Sequence, residues 1–198
     1  MTVVFLDAFN ASAELGTPYK TEQSPSGSFI VEYYQVENKD NEVWLAPAGK
    51  AESRYRLHDY GLGAKVVFSP DEKWIALNNF DRPDTFVVIL FKRGKDGRYK
   101  EVKNARISAR SWAMMRRAAP YLKGVRFNRQ YTEAVDWSGD SRAILIRLSG
   151  EDTETLDVFD NWYCVFDTQK FKASQDLALL NRGKYHRGEH QLPKLRRH

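Results

Sequence analysis

With one cysteine, Cys164, in 198 residues, the chain cannot form an internal disulfide. Cys164 lies in Trp162-Tyr-Cys-Val-Phe166, where a strand-interior thiol reads as a small apolar filler rather than a nucleophile, since no basic partner accompanies it. Apolar runs of bilayer length are also missing, so no transmembrane helix is expected. Val3-Val-Phe-Leu6 has no basic residue before it and stops at Asp7, unlike a signal peptide. The compartment stays open. Phosphate-cradling G-x-x-x-x-G-K-[ST], G-x-G-x-x-G, paired-cysteine metal motifs and the G-x-S-x-G elbow are absent, which leaves no phosphate, dinucleotide, zinc or acyl-transfer signature of those kinds.

Acidic residues are missing from one long segment. Residues 103–129 hold Lys103, Arg106, Arg110, Arg116, Arg117, Lys123, Arg126 and Arg129 and no Asp or Glu. From Asn181 onward, six Lys or Arg residues face Glu189 alone. The overall net charge is only +5, so the rest of the chain is acidic, with a net charge of −8. Two basic patches on an acidic body either attract polyanions and acidic partners or fold back onto that body.

What is present is β patterning with recurrent turns. Ser24-Pro-Ser-Gly27, Ser69-Pro-Asp-Glu72 and Ser138-Gly-Asp-Ser141 each precede an apolar strand. Pro presets φ in such a reversal while Ser and Asp bond back to nearby amides. A second strand follows each turn, at Glu42–Leu45, Thr85–Phe91 and Trp162–Phe166, and further strands are expected near Tyr55–Leu57 and Tyr99–Val102. The turns begin at residues 24, 69 and 138, and the longer second interval reads as an insertion over about 103–129. Units of roughly 40–45 residues with about four strands each have the form of propeller blades.

Phe68-Ser-Pro-Asp-Glu-Lys-Trp-Ile-Ala76 resembles the strand-turn-strand of TolB-like and WD40-like β-propeller repeats. The resemblance covers about 24–172 without the insertion; the third unit has Gly139 in place of Pro, and no unit has the Gly-His and Trp-Asp pairs of WD40 blades. It implies architecture and not activity. The expected fold is mainly β: three blade-like antiparallel units forming an incomplete propeller or related β-sheet stack. One inserted amphipathic helix and a short C-terminal helix over Ser174–Asn181 complete it. Residues 1–180 are expected to form one β-rich domain and 181–198 a basic tail. Closed propellers use about four to eight blades, so three must be capped, must pair with a second copy, or must form another β arrangement.

Ile107–Ala119 reads as a helix with Ile107, Met114, Met115 and Ala118 on its apolar stripe, Arg106, Arg110 and Arg117 beside it, Asn104 as cap and Pro120 as stop. Such a helix covers an open sheet, or it presents its arginines to a partner or an anionic surface. Trp112, off the stripe, decides: exposed, it favours a contact role. His186-Arg-Gly-Glu-His190 matches H-x-x-E-H, but Gly188 and Pro193 oppose the helix that a zinc site of this type requires. His58 and the acidic run Glu151–Asp157 carry no assignable chemistry.

The reading is therefore a non-enzymatic binding protein that recognises another macromolecule, in the first instance a protein. The candidate binding residues are Arg106, Arg110, Trp112, Arg116, Arg117, Lys123, Arg126 and Arg129. No catalytic residue, metal site or cofactor is assigned, and a homodimer is left open. The alternatives are a nucleic-acid, polyanion or membrane-surface binder through 103–129 and the tail, and a hydrolase or lyase on a propeller-like scaffold.

Overall fold

A serine hydroxyl closes each of the three repeated turns in the same way. In the computed structural model, which describes residues 16–119, 125, 127–152, 157–177, 181 and 185–186, Ser24, Ser69 and Ser138 each accept from the backbone N–H five residues on, at 3.0, 3.0 and 2.9 Å. The amides of the same serines donate to the carbonyls of Phe29, Trp74 and Ala143. The fourth turn residue takes positive φ in every case: Gly27 at 73°, Glu72 at 51° and Ser141 at 61°. Such φ values are inexpensive for glycine alone, so Glu72 and Ser141 adopt them against a steric cost that the surrounding bonds must offset. Asp71 and Asp140 supply some of those bonds. Each accepts from the preceding serine hydroxyl and from the N–H of Lys73 or Arg142.

The chain divides into two compact units, Met1–Gly63 and Ala64–His198. The first holds β1 (Lys20–Gln23), β2 (Phe29–Tyr34), β3 (Asn41–Pro47) and β4 (Tyr55–Tyr60), an antiparallel meander with spatial order β1-β2-β3-β4. Its alternation is plain: Phe29, Val31 and Tyr33 of β2 and Val43 and Leu45 of β3 are buried, and Val31 lies opposite Leu45 and Tyr33 opposite Val43.

The second unit is one nine-stranded sheet with a helix packed on it. Strands β5 (Gly63–Phe68), β6 (Trp74–Arg82), β7 (Thr85–Arg93) and β8 (Tyr99–Glu101) form a second meander. Helix α1 (Ile107–Ala118) follows, and then β9 (Arg129–Trp137), β10 (Ala143–Asp152), β11 (Asp157–Asp167) and β12 (Lys172–Asp176) form a third. A short β13 (Tyr185–His186) pairs with β11. Cross-strand rows build the core: Trp137–Ile144–Phe166–Ala173 runs across β9 to β12, and Ala134–Ile146–Cys164 and Thr132–Leu148–Trp162 run across β9 to β11. All of these residues are buried.

Meanders two and three join through very little ladder. Only Thr85–Gln130 and Phe86–Tyr131 pair, in parallel, between β7 and β9. Side chains complete the seam. Asn78, fully buried on β6, donates Nδ2–H to the Ala134 carbonyl at 3.0 Å and accepts from the Ala134 N–H at 2.7 Å. The Trp137 indole N–H reaches the Val67 carbonyl at 3.0 Å, and the Asp71 N–H donates to the Ser141 hydroxyl at 3.1 Å. Asn181 treats β11 as Asn78 treats β9, bonding the N–H and carbonyl of Tyr163 at 2.7 and 2.9 Å.

Two expectations are corrected. Ser174–Asp176 is not the start of a helix but the end of β12, whose Ala173 is buried opposite Phe166. Pairing with β11 outweighs the local helical preference of Ser-Gln-Asp-Leu-Ala-Leu-Leu. Asn104 does not cap α1: the N-cap is Arg106, at φ 48° and with no side-chain cap bond. The mainly β class holds, and no described helix is long and apolar enough to cross a membrane.

Replacing Asn78 with alanine strands both backbone groups of Ala134 in the core, and urea unfolding is expected to show a loss of about 2–4 kcal/mol. A second expectation concerns acid. Partial burial opposes ionisation of Asp71, but the Lys73 N–H and the Ser69 hydroxyl outweigh it; for Asp140 the Ser138 hydroxyl comes first, then the Arg142 N–H. Both carboxyls are held below the ordinary 3.8, so the stability they contribute is present above that pH and fades as pH falls through the lower folded values. Thermal melts taken down to about pH 2 should show a smaller acid loss in the Asp71→Asn/Asp140→Asn variant than in the parent.

Candidate functional site

Helix α1 owes its position to one face and leaves the other to solvent. Ile107, Ser111, Trp112 and Met115 are buried, so the docked stripe turns toward Trp112 relative to the pattern read from the sequence; Met114 and Ala118 are only partly covered. Trp112 is 7% exposed, and its indole N–H donates to Thr132 Oγ1 at 3.1 Å. Its ring meets Phe127 and Phe159 at centroid distances of 5.9 and 6.1 Å. Gly150 of β10 makes room for it, since a Cβ there would lie 2.8 Å from the indole edge. Trp112 therefore belongs to the core and is corrected from the set of surface contact residues: an indole enclosed by aromatic rings is out of a partner's reach.

The outer face of α1 carries Arg106, Arg110, Arg116 and Arg117, all exposed. At 100° per residue, Arg106, Arg110 and Arg117 fall within about 40° of one another, along roughly 16 Å of helix. None of the four has a carboxylate within 4.0 Å among the described residues; Arg110 and Arg116 reach only the carbonyls of Asn104 and Val125, at 3.4 and 3.1 Å. Helix stability explains half of the pattern: Arg116 and Arg117 lie in the last turn, where the helix dipole favours positive charge. No acid occupies the first turn, and Arg106 and Arg110 sit where the helix dipole favours negative charge. Arg129 stands apart, in β9 and 3.1 Å from Glu151. Lys123 and Arg126 lie outside the described residues, as does most of the basic tail.

A second feature escaped the sequence reading. A cleft of about 620 Å³ opens where the turns of meanders two and three meet, lined by residues 71, 73–74, 140–142, 168–169 and 171 together with Lys92. Trp74 and the half-buried Phe171 give it apolar walls, and the Lys92 ammonium stands 4.9 Å from the Trp74 ring centroid. The acids of the cleft are already engaged, Asp71 with Lys73 at 3.1 Å and Asp140 with Arg142 at 3.9 Å. These residues lie far apart in sequence; the hydrogen bond from the Asp71 amide to Ser141 joins the first two turns, and Thr168 joins the third through the Arg142 carbonyl.

Nucleophilic and metal chemistry find less support. Cys164 is buried, and loss of hydration pushes its thiol up to about 11, the neighbouring Ser111 hydroxyl offsetting part of that. His186 is extended in β13 rather than helical, so the first histidine of H-x-x-E-H lacks the geometry that the motif needs; His190 lies outside the described residues. No group of three His, Cys, Asp or Glu side chains suited to a metal ion occurs among the described residues.

No protein-family model matches the chain, and no curated protein sequence matches it. Among solved structures, TolB from Acinetobacter baumannii is similar at a TM-score of 0.40 and 13% identity, over 82% of this chain and 44% of that one. A protein of Agrobacterium tumefaciens assigned as TolB is similar at 0.38 and 11%, over 81% of this chain and 66% of that one. The chain thus spans under half of the first and about two thirds of the second.

A methyl group at position 150 meets both Trp112 and Phe127, so Gly150→Ala should lower stability by about 1–3 kcal/mol, read by denaturant titration. Faster hydrogen exchange along α1 should accompany it.

Proposed function

We propose that the chain is a non-enzymatic binding protein whose α1 arginine face docks on an acidic surface of another protein. One observation carries the reading: four arginines project from a firmly docked helix, with no carboxylate partner among the described residues and no acid in 103–129. Anchoring through Ile107, Trp112 and Met115 holds those charges on a rigid support, which limits the ordering cost of association. The three meanders with matching turns support a blade-like repeat, and three blades are too few to close a propeller of ordinary size. Such a scaffold would offer turns and helix faces rather than a catalytic pocket.

A polyanion is the second reading, favoured by the same absence of acids. The two separate by probe and by salt. A fluorescein-labelled poly-glutamate peptide and a 20-base-pair DNA duplex are titrated at about 50 and 200 mM salt. The protein reading expects peptide binding that weakens with salt, and a further loss of about 2- to 30-fold in Arg110→Ser/Arg117→Ser, two exposed charge pairs being removed. Tighter binding of DNA than of peptide transfers the face to the polyanion reading. A flat salt response, or an unaffected double variant, removes both.

A further inference from the structure

The cleft at the turns has a donor and acceptor balance that points to a ligand of one kind. Its two carboxylates are already engaged by their own turns. Asp71 Oδ1 takes the Ser69 hydroxyl and the Lys73 N–H, Asp140 Oδ1 takes the Ser138 hydroxyl and the Arg142 N–H, and the Ser141 hydroxyl takes the Asp71 N–H. The Thr168 hydroxyl hydrogen is committed too, to the Arg142 carbonyl at 2.9 Å. What remains open is mostly donors. The Trp74 indole N–H has no hydrogen-bond partner among the described residues, Lys92 has an aromatic face but no carboxylate, and the Gln169 amide offers one donor group and one acceptor. An acceptor is the complement to such a set.

Charge and shape narrow it further. Lys73, Lys92 and Arg142 stand against Asp71 and Asp140, an excess of one positive charge, which suits a monoanion better than a phosphate dianion. Trp74 and Phe171 present ring surface that a purely polar ion would leave unused. The volume, about 620 Å³, lies within the range of small-molecule and short-peptide sites.

We propose that this cleft binds a carboxylate carried on an apolar or aromatic group. Lys92 and the Trp74 N–H take the carboxylate, while the rings of Trp74 and Phe171 take the apolar part. Two sources share this chemistry, a free organic acid and the C-terminal end of a peptide. The site is separate from the arginine face of α1, and either can fail without the other.

Calorimetric titration of the full chain with N-acetylphenylalanine and with its carboxamide tests the charge. A tetrapeptide ending in Phe, with a free or amidated C-terminus, tests the source. The acids are expected to bind at least about tenfold more tightly than the amides, and Lys92→Gln to lose about tenfold, as for loss of a charge-assisted bond. Arg110→Ser/Arg117→Ser should leave this binding unchanged. Independently of whether Lys92→Gln folds, the Trp74 indole N–H resonance, assigned through Trp74→Phe, should shift on titration with the acid. Tighter binding by the peptide than by the free acid identifies the peptide as the source, and the reverse order the small acid. Equal affinity for acid and amide, a Trp74 resonance that does not move, or loss of binding in the α1 variant overturns the proposal.

Discussion

Everything in this chain hangs on a serine hydroxyl that accepts the backbone N–H five residues ahead of it. That bond, with the backbone pair beside it, fixes where each hairpin reverses and therefore which side chains of the following strand face inward. A slip of one residue would turn Val31, Ile75 and Ile144 outward together, and all three are fully buried. The same geometry forces the fourth turn residue to positive φ. In the first turn that residue is glycine, and the demand costs little. In the other two it is Glu72 and Ser141, and the strain is tied to contacts: the Glu72 carbonyl receives the Tyr99 hydroxyl at 2.5 Å, and the Ser141 hydroxyl receives the Asp71 amide. Through the second of these contacts, local turn chemistry becomes part of the joint between the second and third meanders.

That locality explains what the sequence disclosed. Turns within five residues, alternating strands and the body of α1 depend on near neighbours, so Ser24, Ser69 and Ser138 can be placed by inspection, and α1 differs from its expected span by one residue. What depended on distant partners was misplaced. Ser174–Asp176, expected to begin a helix that ends at Asn181, instead ends a strand because β11 offers it a ladder. Trp112 lies off the apolar stripe, yet Gly150, 38 residues away in the sequence, opens the space that draws it in. The repeat itself held better information than local propensity: the first two meanders each end in a fourth strand, and β12 is the fourth strand of the third.

The cleft was illegible for a related reason. Its walls come from three loops and one strand end, and nothing in 71–74, 140–142 or 168–171 read singly distinguishes them from ordinary solvated turns. A signal did exist. Two turns of one design each pair an aspartate with their own basic residue, Asp71 with Lys73 and Asp140 with Arg142, so Lys92 beside them is the charge in excess. Once the turns are taken as equivalent and adjacent, their lysine and arginine side chains fall on one surface.

The arginines of α1 present the opposite case, a feature visible in the sequence whose meaning needed the fold. Basic residues on a helix are commonplace, and on a freely exposed helix they would signify little. Here the helix is held by Ile107, Ser111, Trp112 and Met115, and the direction of its axis is set. Arg106 and Arg110 then stand at the end where the helix dipole penalises positive charge, by about 0.3–1 kcal/mol each. An acidic neighbour would offset that penalty, and among the described residues neither has one within 4.0 Å. Folding alone would favour Asp or Glu at such positions. The arrangement is therefore under-stabilised as a free surface, and an approaching carboxylate would relieve the repulsion and the dipole mismatch together, which gives an acidic partner a larger return at this end of α1 than at Arg116 and Arg117.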